Sequence, residues 1–496
     1  MKTTDLFTLT YFLLVLCTPT CSQNTSEIHG TMQESPLRAS EPVDTIIADL
    51  KTFIPKYLND EHIPGASIAL MYGGEIAWTV GFGVANTLTR EKVTSNTLFE
   101  VASISKVVTA YMALRLVDEG KLSVDKPLHS YLSKEWLPPS AYRDSIALKH
   151  VLSHSSGLSK TSKDIMFRPG TAYYYSAQGF NYVKEVLEEV TGEPFEKLAQ
   201  RLVFEPLGMN RSSFIRQENL IPSVANGHIR AIVPAVLFSA SFTAIFAIVV
   251  LMGTIITRLL TKSWKLKRSH IIGFLVTSFI LLAFALFVLL GSNGMMEFAL
   301  FMVTSGLVML IMFLLLFYAG RKFIVKKVPT KKGIQRLLSA AWSTLIILAI
   351  LFITTKINNL PVPRWPEYQA SPAGTLRTSA PELALFMKEI SQPKFLKAET
   401  AEYLRTPQIK LSRNLSWGMG PGILYPEQGY ALWQWGQHID FQSIMIAYPD
   451  REFGVVICTN NDLLSPDVPV EIAHRALGGV IEPLRRAIHL QYDYTK

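Results

Sequence analysis

The chain has 496 residues, which is enough for two to four domains at about 100–200 residues each. Its hydrophobic content of 49% and mean hydropathy of +0.24 exclude a disordered chain. Three cysteines, with no Cys-x-x-Cys pair, exclude a disulfide-stapled scaffold and a zinc ribbon. The net charge of +9 leaves nucleic acid or an anionic membrane as partners, and the position of the charges decides between them.

The N-terminus predicts a secretory signal peptide over residues 1–22. Lys2 gives a weakly positive start, residues 6–17 form an apolar and hydroxyl-rich run, and residues 20–22 offer a small-residue cleavage site. An uncleaved anchor is the alternative, because an acidic residue dilutes the positive end. The polar residues that follow predict a mobile lead-in over 23–45.

The middle of the chain, residues 230–356, predicts four transmembrane helices. Each of its four uncharged apolar runs is at least 19 residues long, close to the roughly 20 that cross a bilayer as a helix. Buried helices of a soluble protein are the alternative, and four such runs in succession make it the weaker one. The runs are 231–257, 269–296, 298–320 and 337–355.

The connectors between these runs predict the orientation in the membrane. Residues 258–268 and 321–336 carry twelve Lys and Arg and no acid, whereas residues 291–297 carry no base. Short basic loops stay in the cytoplasm, so the two basic connectors are expected to face inward. Because these twelve charges exceed the net charge of +9, the rest of the chain is net negative, and a nucleic-acid partner loses its support.

An even number of spans returns the chain to the side that it left. Residues 24–229 and 357–496 are therefore predicted to share the extracytoplasmic side, which is also where a signal peptide would deliver the first segment. The sequence thus predicts a multi-pass protein of the cell membrane, with the lipid bilayer as a partner and two outer segments, 46–229 and 357–496, that build one domain.

The outer segments predict an α+β domain in which the second segment completes a sheet. Gly73 and Gly74 sit between two strand-like runs and indicate a hairpin. A helix is expected after Phe99, ending near Gly120. The strands of the hairpin are predicted over 66–72 and 75–83. The other predicted elements are helices over 180–191, 380–390 and about 470–485, and strands over 441–447 and 454–459.

Ser103 and Lys106 form a candidate nucleophile and base. Their i, i+3 spacing at a helix start puts both side chains on one face, about 5–6 Å apart at Cβ. Lysine can activate a serine only if its pKa falls from about 10.4 towards 7, which burial can cause. The same spacing recurs at two other serines, but proline interrupts or follows those copies, so the context selects Ser103.

Several stretches resemble the serine β-lactamase and penicillin-binding-protein superfamily, specifically its class C β-lactamase, DD-carboxypeptidase and family VIII esterase branch. The resemblance implies an antiparallel sheet flanked by helices plus a helical subdomain, here interrupted by the four predicted transmembrane helices. The stretches that carry it are Phe-Glu-Val-Ala-Ser-Ile-Ser-Lys at 99–106, residues 148–158, 169–180, 205–209 and 372–384, and the closing strand pair.

The resemblance also implies roles for single residues. Ser103 would be the nucleophile, and Lys106 and Tyr175 would share proton transfer. Tyr175 stands where the family has Tyr-x-Asn, but Ala177 replaces the asparagine. The alternative for Tyr175 is a core aromatic residue, and His154 matches a structural histidine of the family better than a member of a triad.

The third element of the family is usually Lys-Thr-Gly or His-x-Gly, and Gln434-Trp435-Gly436 occupies its place. Gln434 can donate a hydrogen bond but carries no charge for a substrate carboxylate. Gly436 would let the backbone approach the ligand closely. The backbone N–H groups of Ser103 and Gln437 would form the oxyanion hole.

These features predict a membrane-anchored extracytoplasmic serine hydrolase that forms an acyl-enzyme on a peptide, ester or β-lactam carbonyl. Its partners are expected to be a small-molecule or peptide substrate and the bilayer, with no nucleic acid, no cofactor and no metal. The oligomeric state stays open. The alternative is a sensor or scaffold that binds a ligand or is acylated with little turnover, which the replacements at Ala177 and Gln434 motivate.

Overall fold

The computed structural model describes residues 36–160, 162–229, 359–365, 368–425, 429–462 and 467–479. The predicted signal peptide over 1–22 and the predicted transmembrane helices within 230–356 lie outside these residues and stay predictions. Among the described residues, no helix combines the length and the apolar character that crossing a membrane requires.

The described residues contain an eight-stranded antiparallel sheet with the strand order β2-β1-β12-β11-β10-β9-β8-β7. Two further pairs, β3 with β6 and β4 with β5, lie outside it. The strands are β1 Gly65–Tyr72, β2 Glu75–Gly83, β3 Phe99–Glu100, β4 His228–Ile229, β5 Leu360–Pro361, β6 Arg377–Thr378, β7 Ile409–Lys410, β8 Leu415–Trp417, β9 Gly422–Leu424, β10 Ala431–Gln437, β11 Gln442–Tyr448 and β12 Phe453–Thr459.

The two outer segments pair with each other inside the large sheet. Strand β1 pairs with the last strand, β12, in a register that places Ala66 opposite Thr459 and Met71 opposite Gly454. The first segment supplies β1 and β2, and the second supplies the other six strands of this sheet. The prediction of an α+β fold with an antiparallel sheet and helices is confirmed.

Helices cover both faces of the sheet. Alternate residues of a strand point to opposite faces, and apolar residues on both faces are buried against helices. Ile68 and Ile444 pack with α1 and α9, whereas Ala69 and Met445 pack in the core that contains α2, α4 and α7. The α-helices are α1 Val43–Asp60, α2 Ile104–Asp118, α3 Leu148–Leu152, α4 Ala177–Thr191, α5 Phe195–Ala199, α6 Glu205–Leu207, α7 Ala380–Ser391, α8 Ala398–Arg405 and α9 Val468–Leu477.

Three predicted boundaries differ from the structure. The helix predicted over about 470–485 begins at Val468 and ends at Leu477, before Gly478. Helix α1 begins at Val43, inside the predicted lead-in over 23–45, and it buries Ile46, Leu50, Ile54 and Leu58. That spacing forms an apolar stripe, which gives the helix a reason to fold against the sheet. Helix α4 begins at Ala177 rather than at residue 180, because the Ser176 side chain accepts a hydrogen bond from the Gly179 N–H.

Helix α2 runs through the interior and positions the candidate nucleophile at its start. Twelve of its fifteen residues are buried, which is typical of a helix that is apolar on all sides. Two of its polar residues form hydrogen bonds with the second segment. Thr109 Oγ1 donates to the Pro372 carbonyl at 2.8 Å, and the Leu376 N–H donates to Ser105 Oγ at 3.1 Å. The helix is therefore enclosed by residues that come from both sides of the predicted membrane insertion.

Candidate active site

The turn that precedes helix α2 holds Ser103 in place. Ala102 has a φ of +44°, a left-handed conformation that a non-glycine residue adopts only when its surroundings impose it. Neighbouring contacts do so here. The Val101 N–H donates to the Leu376 carbonyl at 3.0 Å, and Ser443 Oγ donates to the Val101 carbonyl, also at 3.0 Å. The turn is thus fastened to the second segment on both sides.

Ser103 and Lys106 are in direct contact. Lys106 Nζ lies 3.0 Å from Ser103 Oγ and donates a second hydrogen bond to the Ala373 carbonyl at 2.7 Å. Both side chains are buried. Burial lowers the pKa of Lys106 to about 7, because a low-dielectric environment disfavours the charged ammonium. A neutral amine within hydrogen-bond reach of the hydroxyl can accept its proton at near-neutral pH.

Tyr175 completes this group of contacts. Its hydroxyl bonds with Ser103 and accepts a hydrogen bond from Gln434 Nε2 at 3.4 Å, and its ring centroid lies 5.0 Å from Lys106 Nζ. Burial raises the pKa of Tyr175, and the hydrogen bonds from Ser103 and Gln434 offset this only in part. The phenol therefore keeps its proton near neutral pH and can donate it to a leaving group or relay it.

His154 supports Tyr175 and does not form a triad with its neighbouring serines. Its Nδ1 accepts a hydrogen bond from the Ser176 N–H at 3.2 Å, and its ring lies 4.2 Å from the Tyr175 ring. Burial lowers the pKa of His154, so the imidazole is neutral and suits an acceptor role. Trp417 packs against both rings, at 5.3 Å and 6.1 Å.

Strand β10 lies against the nucleophile turn at Gly436. A Cβ at this position would lie 2.1 Å from the Val101 carbonyl oxygen and 2.5 Å from Ser443 Oγ, so a side chain does not fit. The sequence suggested that the glycine makes room for a ligand. That role stays a prediction, and the structure shows a second reason for the glycine, which is that β10 closely approaches the turn that carries Ser103. Gln434 is buried on the same strand and reaches Tyr175.

The structure brings Ser103, Lys106, Tyr175 and Gln434 into one chain of contacts. Gly436 lies against the turn two residues before Ser103, and Gln437 ends the same strand. The use of the Ser103 and Gln437 N–H groups as an oxyanion hole remains a prediction. In the described part of the chain, no cluster of three or more His, Cys, Asp or Glu side chains could hold a metal ion.

Three charged residues beside this site were missed by the sequence analysis. Arg377 Nη2 lies 2.6 Å from Glu100 Oε2, and His438 Nδ1 contacts Glu100 Oε1. Burial by itself would raise the pKa of Glu100, but Arg377 and His438 lower it to about 2. Glu100 lies within the stretch that carries Ser103 and could have been noticed there. Arg377 lies within the quoted stretch over 372–384 in the same way, whereas no local signal identifies His438, and only the fold brings the three side chains close.

Comparison with known proteins agrees with this fold. The "Beta-lactamase" family model matches residues 47–268. "Penicillin-binding protein 4" of Amycolatopsis lactamdurans is 25% identical over 190 residues, covering 34% of this chain and 50% of the relative. "Putative penicillin-binding protein PbpX" of Bacillus subtilis is 26% identical over 230 residues, covering 42% of this chain and 56% of the relative. The chain thus spans about half the length of these curated relatives.

A solved structure extends the likeness over both outer segments. The D-alanine carboxypeptidase AmpC from Burkholderia cenocepacia superposes with a TM-score of 0.55, at 14% identity, covering 88% of this chain and 99% of the other. At such identity the match shows the β-lactamase-like fold alone. The family model, over residues 47–268, and the curated relatives show that this chain is similar to proteins of the β-lactamase and penicillin-binding-protein superfamily.

Proposed function

We propose that the protein is a membrane-anchored serine hydrolase that acts on a peptide, ester or β-lactam carbonyl through an acyl-enzyme. The single observation that supports this most is the 3.0 Å contact between Lys106 Nζ and Ser103 Oγ inside a buried site. A serine hydroxyl becomes a good nucleophile when an adjacent base can take its proton. Here the base is a lysine whose pKa burial lowers to about 7.

In acylation, Ser103 Oγ attacks the carbonyl carbon while its proton moves to Lys106 Nζ. The carbonyl oxygen becomes an oxyanion, which the Ser103 and Gln437 N–H groups would stabilise. As the bond to the leaving group breaks, the leaving group takes a proton from the Tyr175 hydroxyl, which Lys106 replenishes. Because the raised pKa of Tyr175 keeps its phenol protonated, we assign it the role of relay and leave that of base to Lys106.

Deacylation uses the same groups with water in place of the serine hydroxyl. Water attacks the acyl carbon and its proton passes to the neutral Lys106 amine, and the Ser103 oxygen then leaves and takes that proton back from Lys106. Gln434 contacts the Tyr175 hydroxyl and brings no positive charge to this side of the site. That absence of charge favours a peptide or ester over a substrate held by its carboxylate.

A sensor or scaffold that becomes acylated without turnover is the second candidate. Two replacements favour it, Ala177 in place of an asparagine and Gln434 in place of a cation. Labelling with a fluorophosphonate and a fluorescent penicillin, compared between the wild type and Ser103→Ala, tests both proposals. A phosphonylated serine is not hydrolysed by an active hydrolase either, so turnover is measured with the penicillin. Penicillin label that turns over supports the hydrolase, and penicillin label that persists supports the sensor. Absence of any Ser103-dependent label would contradict both.

We further propose that this site faces the extracytoplasmic side of the cell membrane and that residues 230–356 anchor it as a multi-pass segment. The support is the sequence pattern of uncharged runs and basic connectors. Protease protection in sealed vesicles, with and without reversal of the charges at Arg321, Lys322, Lys326 and Lys327, tests the orientation. An unchanged protection pattern after reversal would contradict the argument from the basic connectors.

A further inference from the structure

Three charged side chains converge beside the nucleophile turn from three separate parts of the chain. Glu100 comes from β3, Arg377 from the paired strand β6, and His438 from the residue that follows β10. Arg377 and His438 contact different oxygens of the Glu100 carboxylate. The Glu100 carboxylate therefore links β6, which carries Arg377, to the end of β10, which His438 follows.

The three side chains differ in exposure. Glu100 and Arg377 are 4% and 3% exposed, whereas the His438 side chain is 42% exposed. The imidazole also borders Gly374, where an added Cβ would lie 3.0 Å from Nε2. Gly374 follows Ala373, whose carbonyl accepts the hydrogen bond from Lys106. His438 thus borders both the carboxylate near Ser103 and the loop that holds the lysine.

The position of His438 in the chain links it to the predicted oxyanion hole. It directly follows Gln437, and Glu100 lies three residues before Ser103. The residue before Ser103, Ala102, has a left-handed φ of +44° that its surroundings must hold. The contact between His438 and Glu100 therefore spans the two backbone segments whose N–H groups the mechanism uses.

We propose that His438 is a positioning residue. Through its contact with Glu100 it holds the end of β10 against the nucleophile turn, and this keeps the N–H groups of Ser103 and Gln437 correctly placed for acylation. The inference rests on the proposed serine hydrolase function and adds to it a residue that does not itself contact the reacting atoms. An imidazolium binds a carboxylate more strongly than a neutral imidazole does, because the hydrogen bond is then charge-assisted. The contact between His438 and Glu100 is accordingly strongest when His438 is protonated.

The groups that face His438 predict a pH dependence. Burial lowers the pKa of His438, but Glu100 and then Asp440 raise it, Lys106 opposes them, and the net result is a raised pKa. Lys106 must lose its proton to act as a base, and its pKa is about 7. Acylation of Ser103 should therefore speed up as Lys106 deprotonates and slow down again as His438 deprotonates. The rate profile should be bell-shaped.

The test measures the rate of fluorophosphonate labelling of the full chain from pH 5 to 9.5. His438→Asn keeps a neutral N–H donor for Glu100 but cannot titrate, so we expect it to label at the slower rate that the wild type approaches once His438 is neutral, and to lose the alkaline limb. His438→Ala removes the donor, and we expect labelling at least tenfold slower at the optimum. His129→Asn is the matched control, because the His129 side chain is 40% exposed and borders Asp144 at 3.8 Å; its profile should stay bell-shaped.

The outcomes separate this inference from the function on which it rests. If the wild type shows no Ser103-dependent label, the serine hydrolase proposal fails, and this inference fails with it. If the label depends on Ser103 but His438→Asn keeps the alkaline limb, or His438→Ala labels at the wild-type rate, only the role of His438 is overturned. A thermal unfolding midpoint of His438→Asn within about 3 °C of the wild type shows that the variant is folded.

Discussion

Glu100 and Lys106 lie three residues before and three residues after Ser103, and they are almost equally buried, at 4% and 3% exposure. Both pKa values are lowered, but this keeps the carboxylate charged and allows the amine to become neutral. The pKa of Glu100 falls to about 2, so the carboxylate stays ionised, whereas that of Lys106 falls to about 7, so the amine can be neutral.

The difference lies in the partners and not in the depth of burial. Glu100 is bound by two cationic side chains, whose attraction offsets the free-energy cost of removing the carboxylate from water. Lys106 has a hydroxyl and a carbonyl as its hydrogen-bond partners, and burial is the cause of its shift. Glu100 therefore stays ionised and stabilises the turn. Lys106 can instead lose its charge, and its neutral amine is then available for proton transfer.

The largest effect is expected from removing the neutral base. Lys106→Ala should slow Ser103 labelling by about 10²–10⁴-fold, because the serine proton then has no acceptor. Lys106→Arg should be equally slow, since a guanidinium keeps its proton at these pH values. Labelling rates with a fluorophosphonate measure both variants. An arginine variant that labels at the wild-type rate would contradict the role of the lysine as a base.

Breaking the buried ion pair should affect stability more than chemistry. Arg377→Met leaves Glu100 without one of its two cations, and we expect the free energy of unfolding to fall by about 3–5 kcal/mol. The double variant Glu100→Gln with Arg377→Met should regain part of that loss, because no unpaired charge then remains. Denaturant unfolding followed by tryptophan fluorescence measures the three proteins. Equal losses in the single and double variants would contradict the ion-pair argument.

Gly436 tests the contact between β10 and the nucleophile turn. Gly436→Ala would place a Cβ 2.1 Å from the Val101 carbonyl oxygen, so β10 must move, at a cost of about 1–3 kcal/mol. Gly120→Ala is a control with a positive φ of +73° but nothing within 4 Å of the added Cβ. We expect slower Ser103 labelling in Gly436→Ala alone, and a similar loss of labelling in Gly120→Ala would argue against the contact.

An effect of similar size, confined to acid pH, is expected from the protonation of Glu100. Because the pKa of Glu100 is lower in the folded state than its ordinary value of 4.5, its ionisation stabilises the fold above pH 4.5. This contribution should fade as the pH falls from about 4.5 towards 2. Glu100→Gln should flatten the acid side of the stability curve by about 1–3 kcal/mol, as measured by thermal unfolding at several pH values. A curve parallel to that of the wild type would indicate that another group dominates.

Much of the fold and half of the site could be anticipated from local patterns. The hairpin around Gly73 and the spacing of Ser103 and Lys106 depend on neighbours within a few residues, and the structure has both features. Helix α1 was missed because its first turn follows a polar stretch and its apolar stripe gains stability only from the sheet. Local propensity is a weak guide when packing supplies the stabilisation.

The sequence by itself determined the antiparallel α+β fold class and the pairing of a serine with a lysine on one helical face. It also predicts a membrane insertion, since uncharged runs of about 20 residues are a local property. The tertiary structure alone decided the charge state of that lysine and the surroundings of Glu100. A pKa depends on burial and on charges brought from distant positions such as Arg377 and His438, and the folded chain sets both.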